Sequence, residues 1–426
     1  MNLKLSKWFF LLLIVSLPLV RPFNLTMLGL QVPYADFLFL PSVGFWLLAL
    51  IQRQTRLTID RLYIFVGIYA FALSLSTVFS ITPEKSFYKL LGEFYLFGLA
   101  VLTFNLGREK KFFRQIVFAW LVGTSLTVLA SFLGFTLFYL GLTAQDTNYF
   151  LSHLGSLPAG NYPRIRALFE NANMMCDFLN VSLLLAILAA KLGWIGETAA
   201  KLLYVGICFA ALFTLSPGLG GIVLSLGLWF WINTGKQRKL LLSKGTFASA
   251  IIIAAAIFGT TLISPDTDNT DQDFKVPFVE KNLEVSVRVL IWEDTLQTVR
   301  SNPWVGKGTG ADAAMVQYRT LSGDQQILSD AHNIWLNVLG QTGLIGLAAF
   351  ILLVAYLLSK CTISVGEGKQ NDFTRLALSC AFIGAFLYQG LSGSFEDARH
   401  LWILIGLLTA SSHFVNSEIS ALQSDT

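Results

Sequence analysis

Charge is what this sequence lacks most. Only 13% of its 426 residues are Asp, Glu, Lys or Arg, about half the share of an ordinary soluble protein. So few ionised groups do not cover a water-facing globular surface, which excludes a soluble enzyme or carrier. The net charge of +4 says little by itself, because placement matters more than the sum, and no nucleic-acid partner is expected. Cysteine is scarce too. Cys208 and Cys380 lie in apolar runs, Cys176 starts one and Cys361 follows one, a spacing that implies neither a disulfide framework nor a metal site. Histidine occurs four times, so each copy can be weighed.

What is present is apolar surface. The chain is 54% hydrophobic with 35 Phe and a mean hydropathy of +0.62. These values describe a polytopic membrane protein, one all-α bundle of spanning helices. Apolar segments fall near 8–20, 33–51, 62–80, 88–107, 113–141, 174–192, 199–215, 219–234, 246–263, 333–358, 374–394 and 401–415. We therefore expect about twelve transmembrane helices, the first short and the 199–234 pair open to a re-entrant reading. Lys4 and Lys7 before an apolar run resemble a signal peptide, but no small-residue cleavage site follows and the run continues into Arg21-Pro22, so an uncleaved span is expected.

Basic residues set the orientation. With the N-terminus cytoplasmic, inner connections carry 18 Lys and Arg, whereas the short outer ones carry Arg21, Lys85, Lys89 and Arg399, as the positive-inside rule demands. Two long connections, about 142–173 and 264–332, then lie outside. The expected organisation is helices 1–9 over 1–263, a large outer loop over 264–332, and helices 10–12 with a short cytoplasmic tail over 333–426.

Long loops in a membrane protein are where chemistry is expected. The larger one has six basic against eleven acidic residues, so any anion site must be local. Residues 284–300 read as an amphipathic helix with Val287, Leu290, Ile291 and Val299 on one face, stopped by Asn302-Pro303. Arg288 and Trp292, four apart, share a side of it. The turn-rich Pro303-Trp-Val-Gly306-Lys-Gly308-Thr-Gly310 offers backbone amides that would approach an anion closely. Asp266-Thr-Asp268-Asn-Thr-Asp271-Gln-Asp273 is read as a solvated acidic linker rather than a cation site. In the smaller loop, Arg164 and Arg166 stand beside a membrane entrance, where guanidinium forks suit a phosphate. Lipid-headgroup anchoring is the alternative for either.

His332 combines position with pattern. It opens His332-Asn333, nine residues, then Gly343-x-x-Gly346, where a polar loop meets an apolar segment. An imidazole at that boundary is available for proton chemistry on one side only. In an unbroken helix Gly343 would lie roughly 16 Å deeper and about 20° from the histidine face, a small-residue stripe for close helix or lipid approach. His400 is outside and is expected to join the same site, His413 lies at the inner end of the last span, and His153 has no supporting pattern.

These motifs resemble the signature of the bacterial O-antigen ligase and polymerase superfamily. Arg164-x-x-Ala-x-Phe169-x-Asn171-Ala-Asn173 is similar to its Arg-x-x-Gly-x-Phe-x-Asn-Pro-Asn element, with Ala167 and Ala172 replacing Gly and Pro. Thr214-Leu-Ser216-Pro217-Gly218 stands where the family often has Thr-x-Ser-Arg-Gly, so Pro217 removes an arginine. Arg288-x-x-x-Trp292 with Pro303-x-x-Gly306-x-Gly308 resembles its large-loop element. The resemblance implies a GT-C-like bundle in the bacterial inner membrane, multi-pass, with its active site on the periplasmic face. It implies metal-independent, inverting glycosyl transfer without a cofactor, from a glycan on undecaprenyl diphosphate to lipid A-core or another lipid-linked glycan. His332 and Arg288 would be catalytic, and Arg164, Arg166, Asn173, Trp292, Asn333 and His400 would bind substrate.

Three other readings stand beside the ligase. A polymerase of the same superfamily would use a growing chain as acceptor. A transporter is disfavoured because Asp36, Glu93 and Asp177, the acids within apolar runs, lie toward the outer ends rather than the midplane. A protein-glycosylating relative is weakened because the chain ends about ten residues after its last span, whereas such relatives commonly carry a further C-terminal region.

Overall fold

The computed structural model describes all residues except 22–23, 28–29, 144–147, 155–161, 235–239, 266–272, 276–281, 320–324, 362–369, 394–397 and 425–426. The described residues are mostly helical: α1 (Asn2–Ser16), α2 (Tyr34–Phe37), α3 (Phe39–Ile51), α4 (Leu62–Val78), α5 (Pro83–Gly107), α6 (Lys110–Tyr139), α7 (Ala172–Lys191), α8 (Glu197–Leu212), α9 (Leu219–Thr234), α10 (Leu240–Gly259), α11 (Val287–Ser301), α12 (Ile334–Lys360), α13 (Gln370–Ala381) and α14 (Arg399–Ser424). A π-helical stretch, Phe382–Tyr388, and a 3₁₀ turn, Gln389–Leu391, extend α13.

Each of the twelve apolar segments falls on one of these helices. Five stretches are both long and apolar enough to cross a membrane: Pro83–Gly107, Lys110–Tyr139, Ala172–Lys191, Ile334–Lys360 and Phe373–Leu391. Four further apolar helical stretches, Ala35–Ile51, Leu62–Val78, Leu219–Asn233 and Lys244–Gly259, are shorter than a full span. The loops also hold short antiparallel strands that the hydropathy pattern did not signal. These are β1 (Asn24–Met27) with β2 (Leu30–Pro33), β3 (Leu151–Leu154) with β4 (Tyr162–Ile165), β8 (Val316–Arg319) with β9 (Gln325–Leu328), and a sheet in which β7 (Asn282–Val285) lies between β5 (Ile263–Pro265) and β6 (Asp273–Lys275). The acidic run sits largely outside the described residues.

The bundle is organised around α7, the most enclosed span. It packs on α8 and α13, while α14 lies along α5, α12 along α4, and α1 along α3 and α6. The acids within the apolar runs each have a basic neighbour: Asp36 with Arg399, Glu93 with Lys89, Asp177 with His400. At the opposite end of α12, Asp60 accepts hydrogen bonds from Tyr356, Lys360, His413 and the Leu62 amide, joining α4, α12 and α14. His413 thus lies far from His332, at the other end of a helix that rises about 1.5 Å per residue.

Gly343 does not continue a helical stripe. Its φ of 64° breaks α12, and the loop after α11 fills the break. Pro303 and Trp304 carbonyls accept from the amides of Leu344 and Ile345, and Lys307 and Gly308 donate to the carbonyls of Gly340 and Gln341. Gly310 N–H adds a bond to Gln341 Oε1. The glycine-rich loop therefore spends its amides on α12, and the expectation of an anion cradle there fails. The two motifs that looked separate in the sequence are one backbone clasp.

A Cβ on Gly343, whose φ of 64° and ψ of −163° are open essentially to glycine alone, would strain the backbone by about 1–3 kcal/mol and collide with the Trp304 carbonyl. Gly343→Ala should accordingly lower the unfolding temperature in detergent clearly, whereas Gly67→Ala, with open space around it, should leave it unchanged.

Candidate active site

The segment carrying Arg164 is threaded between three neighbours that satisfy its backbone. Ile165 N–H bonds to Phe213 O, Arg166 and Ala167 N–H to Phe150 O, and Leu168 O accepts from Val20 and Arg21. Ala167 adopts φ 46°, which explains why glycine suits that position in the pattern it resembles. Two more left-handed non-glycine residues, Leu215 and His332, flank the same region. Such conformations persist only where surrounding contacts over-determine them, commonly at functional sites.

Arg164 is held rigidly. Its Nε donates to Thr214 O at 2.6 Å and its Nη2 to Asn173 Oδ1 at 2.7 Å. Burial pushes the guanidinium down to about 10, with Cys176 opposing and Arg288 adding to the fall. Arg288 occupies the first turn of α11, whose N-cap Ser286 Oγ receives its N–H. Its Nη1 is buried with no hydrogen-bond partner among the described residues. Burial also lowers the Arg288 pKa, offset by Asp330. The two loops thus bring two desolvated guanidiniums into mutual repulsion, and the nearby carboxylate, Asp330, serves Arg288 rather than Arg164.

His332 completes the cluster. Its backbone N–H donates to Asp330 Oδ1 at 2.6 Å. Burial lowers the imidazole pKa, Asp330 raises it and Arg288 lowers it further. The net effect favours the neutral ring near pH 7, which carries a lone pair able to accept a proton. Trp292, one turn beyond Arg288, donates its indole N–H to Ala331 O at 2.7 Å and stacks near Phe258. It braces the histidine's backbone from α11.

The remaining expected residues divide. Asn173 touches Arg164 directly. Asn333 is the N-cap of α12: its Oδ1 accepts from Trp335 and Leu336 and its Nδ2 donates to Leu391 O, so its side chain is committed to the protein. His400 pairs through Nε2 with Asp177 Oδ2 at 2.7 Å, buried beside Phe178. Asp177 is one turn of α7 after Asn173, so His400 supports the site from beneath. Arg166 is apart, donating to Tyr149 O, with the Arg21 and Glu170 ion pair as its charged neighbours. The His153 side chain lies outside the described residues.

Sequence reasoning passed over Asp330 and, although it named Thr214, did not foresee its contact with Arg164. Asp330 carries a readable signal, a carboxylate two residues before the boundary histidine. Thr214 contributes a backbone carbonyl, which no residue-type pattern reveals.

A family model described as O-antigen ligase matches residues 181–351, which include the Thr214–Gly218, Arg288–Trp292 and His332–Gly346 elements but not Arg164. A Pseudomonas aeruginosa protein named "O-antigen ligase" is 29% identical over 147 residues, 32% of this chain and 31% of that protein. The match thus spans about a third of the relative's length. The resemblance read from the motifs is borne out.

The geometry makes an anion-binding prediction. Arg164→Gln and Arg288→Gln should each weaken inorganic pyrophosphate binding, measured calorimetrically, by about tenfold, in keeping with roughly 1.5–3 kcal/mol for a charged hydrogen bond. Arg166→Gln should change it less than about twofold, as expected of a more exposed cation.

Proposed function

We propose, with that likeness to O-antigen ligases as premise, that this chain is a membrane glycosyltransferase moving a glycan from undecaprenyl diphosphate to a sugar hydroxyl on the extracytoplasmic face. The observation that carries this reading is the pairing of Arg164 with Arg288 beside His332. Two partly desolvated cations that repel each other favour a ligand with two adjacent negative charges, because each phosphate relieves the repulsion that burial amplifies.

In this reaction the acceptor oxygen attacks the anomeric carbon on the face opposite the diphosphate. The new carbon–oxygen bond forms as the sugar–phosphate bond breaks, with inversion, and the electron pair leaves on the phosphate. Arg164 and Arg288 stabilise that departing charge, so no general acid is needed. His332 takes the hydroxyl proton, and Asp330 stabilises the imidazolium that forms. Asn173 and Trp292 hold the arginine and the histidine in place, a preorganisation worth more than additional contacts.

His332→Ala, expressed and inserted normally, should abolish transfer of labelled glycan in detergent, where vectorial transport cannot register; near-normal transfer removes the imidazole from the reaction. Lipid A-core and lipid-linked glycan supplied as rival acceptors separate ligation from polymerisation.

A pH profile supplies an independent check. The neutral imidazole is the active form and its pKa lies below the ordinary value, so kcat/KM should be level through neutrality and fall only at a pH more acidic than that at which an ordinary histidine titrates. Asp330 raises that pKa, so Asp330→Asn should move the acidic limb to lower pH. An unmoved limb would mean that another group titrates.

A further inference from the structure

We propose that Gln389 is a substrate-contacting residue of this site, its Nε2 donating to a phosphate or sugar oxygen of the lipid-linked glycan and its Oε1 accepting from a sugar hydroxyl. The proposal rests on the transfer reading above and adds a specificity contact to it.

Gln389 is 1% exposed. Its backbone carbonyl is well served, accepting from Ser392 N–H and Oγ. Among the described residues, neither Oε1 nor Nε2 of its side chain has a hydrogen-bond partner. A buried donor or acceptor left unmade loses its hydration without compensation, so a carboxamide with both ends idle is a poor choice for a purely structural position. Asn173 and Asn333 nearby are engaged.

Position points the same way. The carboxamide lies directly on Gly218, in the turn whose Thr214 carbonyl receives Arg164. On its other side, Gly390 abuts Ile334 and Leu391 O receives Asn333 Nδ2, one residue from His332. Gln389 and the two residues after it therefore bridge the turn that holds Arg164 and the residues that follow His332.

The backbone is shaped to put it there. The π-helical stretch Phe382–Tyr388 ends at Gln389, and π-turns, less stable than α-helix, recur at functional sites because they re-aim a side chain. Gly218, Gly220 and Gly221 make room for this segment, since a Cβ on them would strike Gln389, the Tyr388 hydroxyl and the Gly384 carbonyl respectively. A conventional helix packed on larger residues would have turned this amide elsewhere.

Gln389→Leu separates a ligand contact from a structural one, because the two roles move stability and activity in different directions. Leucine is close in size and removes two idle polar atoms, so the unfolding temperature of the purified full-length protein should hold or rise. Transfer kcat/KM with glycan-diphosphate lipid extracted from the host should fall at least tenfold. Gly218→Ala, at an ordinary backbone angle, should displace the carboxamide and reproduce the loss. If Gln389→Leu is not recovered folded, Gln389→Met is measured for the same two quantities. Wild-type kinetics in the folded variant overturn the proposal, as does a loss that tracks a lowered unfolding temperature. His332→Ala run in parallel separates the failures: an active His332→Ala sinks the transfer reading, whereas an inactive His332→Ala beside an active Gln389→Leu sinks this inference alone.

Discussion

The break in α12 at Gly343 is the constraint on which the candidate site depends. A helix interrupted inside an apolar span exposes amides and carbonyls that hydrocarbon cannot satisfy, so another backbone must meet them. The Pro303–Gly310 loop does so, with the Pro303, Trp304, Gly340 and Gln341 carbonyls all taken up. That clasp also sets the position of α11, which ends just before it and packs on α12. Arg288 and Trp292 are consequently registered against the residues that open α12, His332 among them. A large loop that would otherwise move independently becomes a wall of the site.

Electrostatic tension is the second theme. Like charges buried together are destabilising, and proteins usually separate them or add a carboxylate. Here the hydrogen bonds from Arg164 to Thr214 O and Asn173 hold one guanidinium in place, while Asp330 moderates the other and the imidazole. The folded protein thus keeps two buried guanidiniums close together with one nearby carboxylate, Asp330, acting on Arg288 and His332. His400 and Asp177, with Asn333 as a helix cap, hold this cluster from below without joining it.

Much of this was legible from residue type. Low charge and long apolar runs identify the membrane bundle because hydrocarbon tolerates little else. The Val287–Ser301 helix followed from its apolar face and the Asn302-Pro303 stop. Arg164, Arg288 and His332 stood out because guanidiniums and imidazoles at a membrane boundary are costly without a task. Other readings went astray where a residue's role depended on its partner. Asn333 resembled a ligand and is a cap; Arg166 resembled a twin of Arg164 and faces a separate ion pair. The glycines of 303–310 resembled an anion loop and instead meet a helix.

By itself, then, the sequence determined the solvent in which the chain folds, the approximate extent of its helices, and which polar side chains stand out beside its apolar runs, since these depend on composition and short-range periodicity. Only the tertiary structure decided that Arg164, Arg288 and His332 meet, that Gly343 ends a helix segment rather than lining a stripe, and that Gln389 lies idle among them. Those outcomes rest on contacts between residues far apart in the chain, on backbone hydrogen bonds that every residue type can make, and on side-chain partners that no local pattern records.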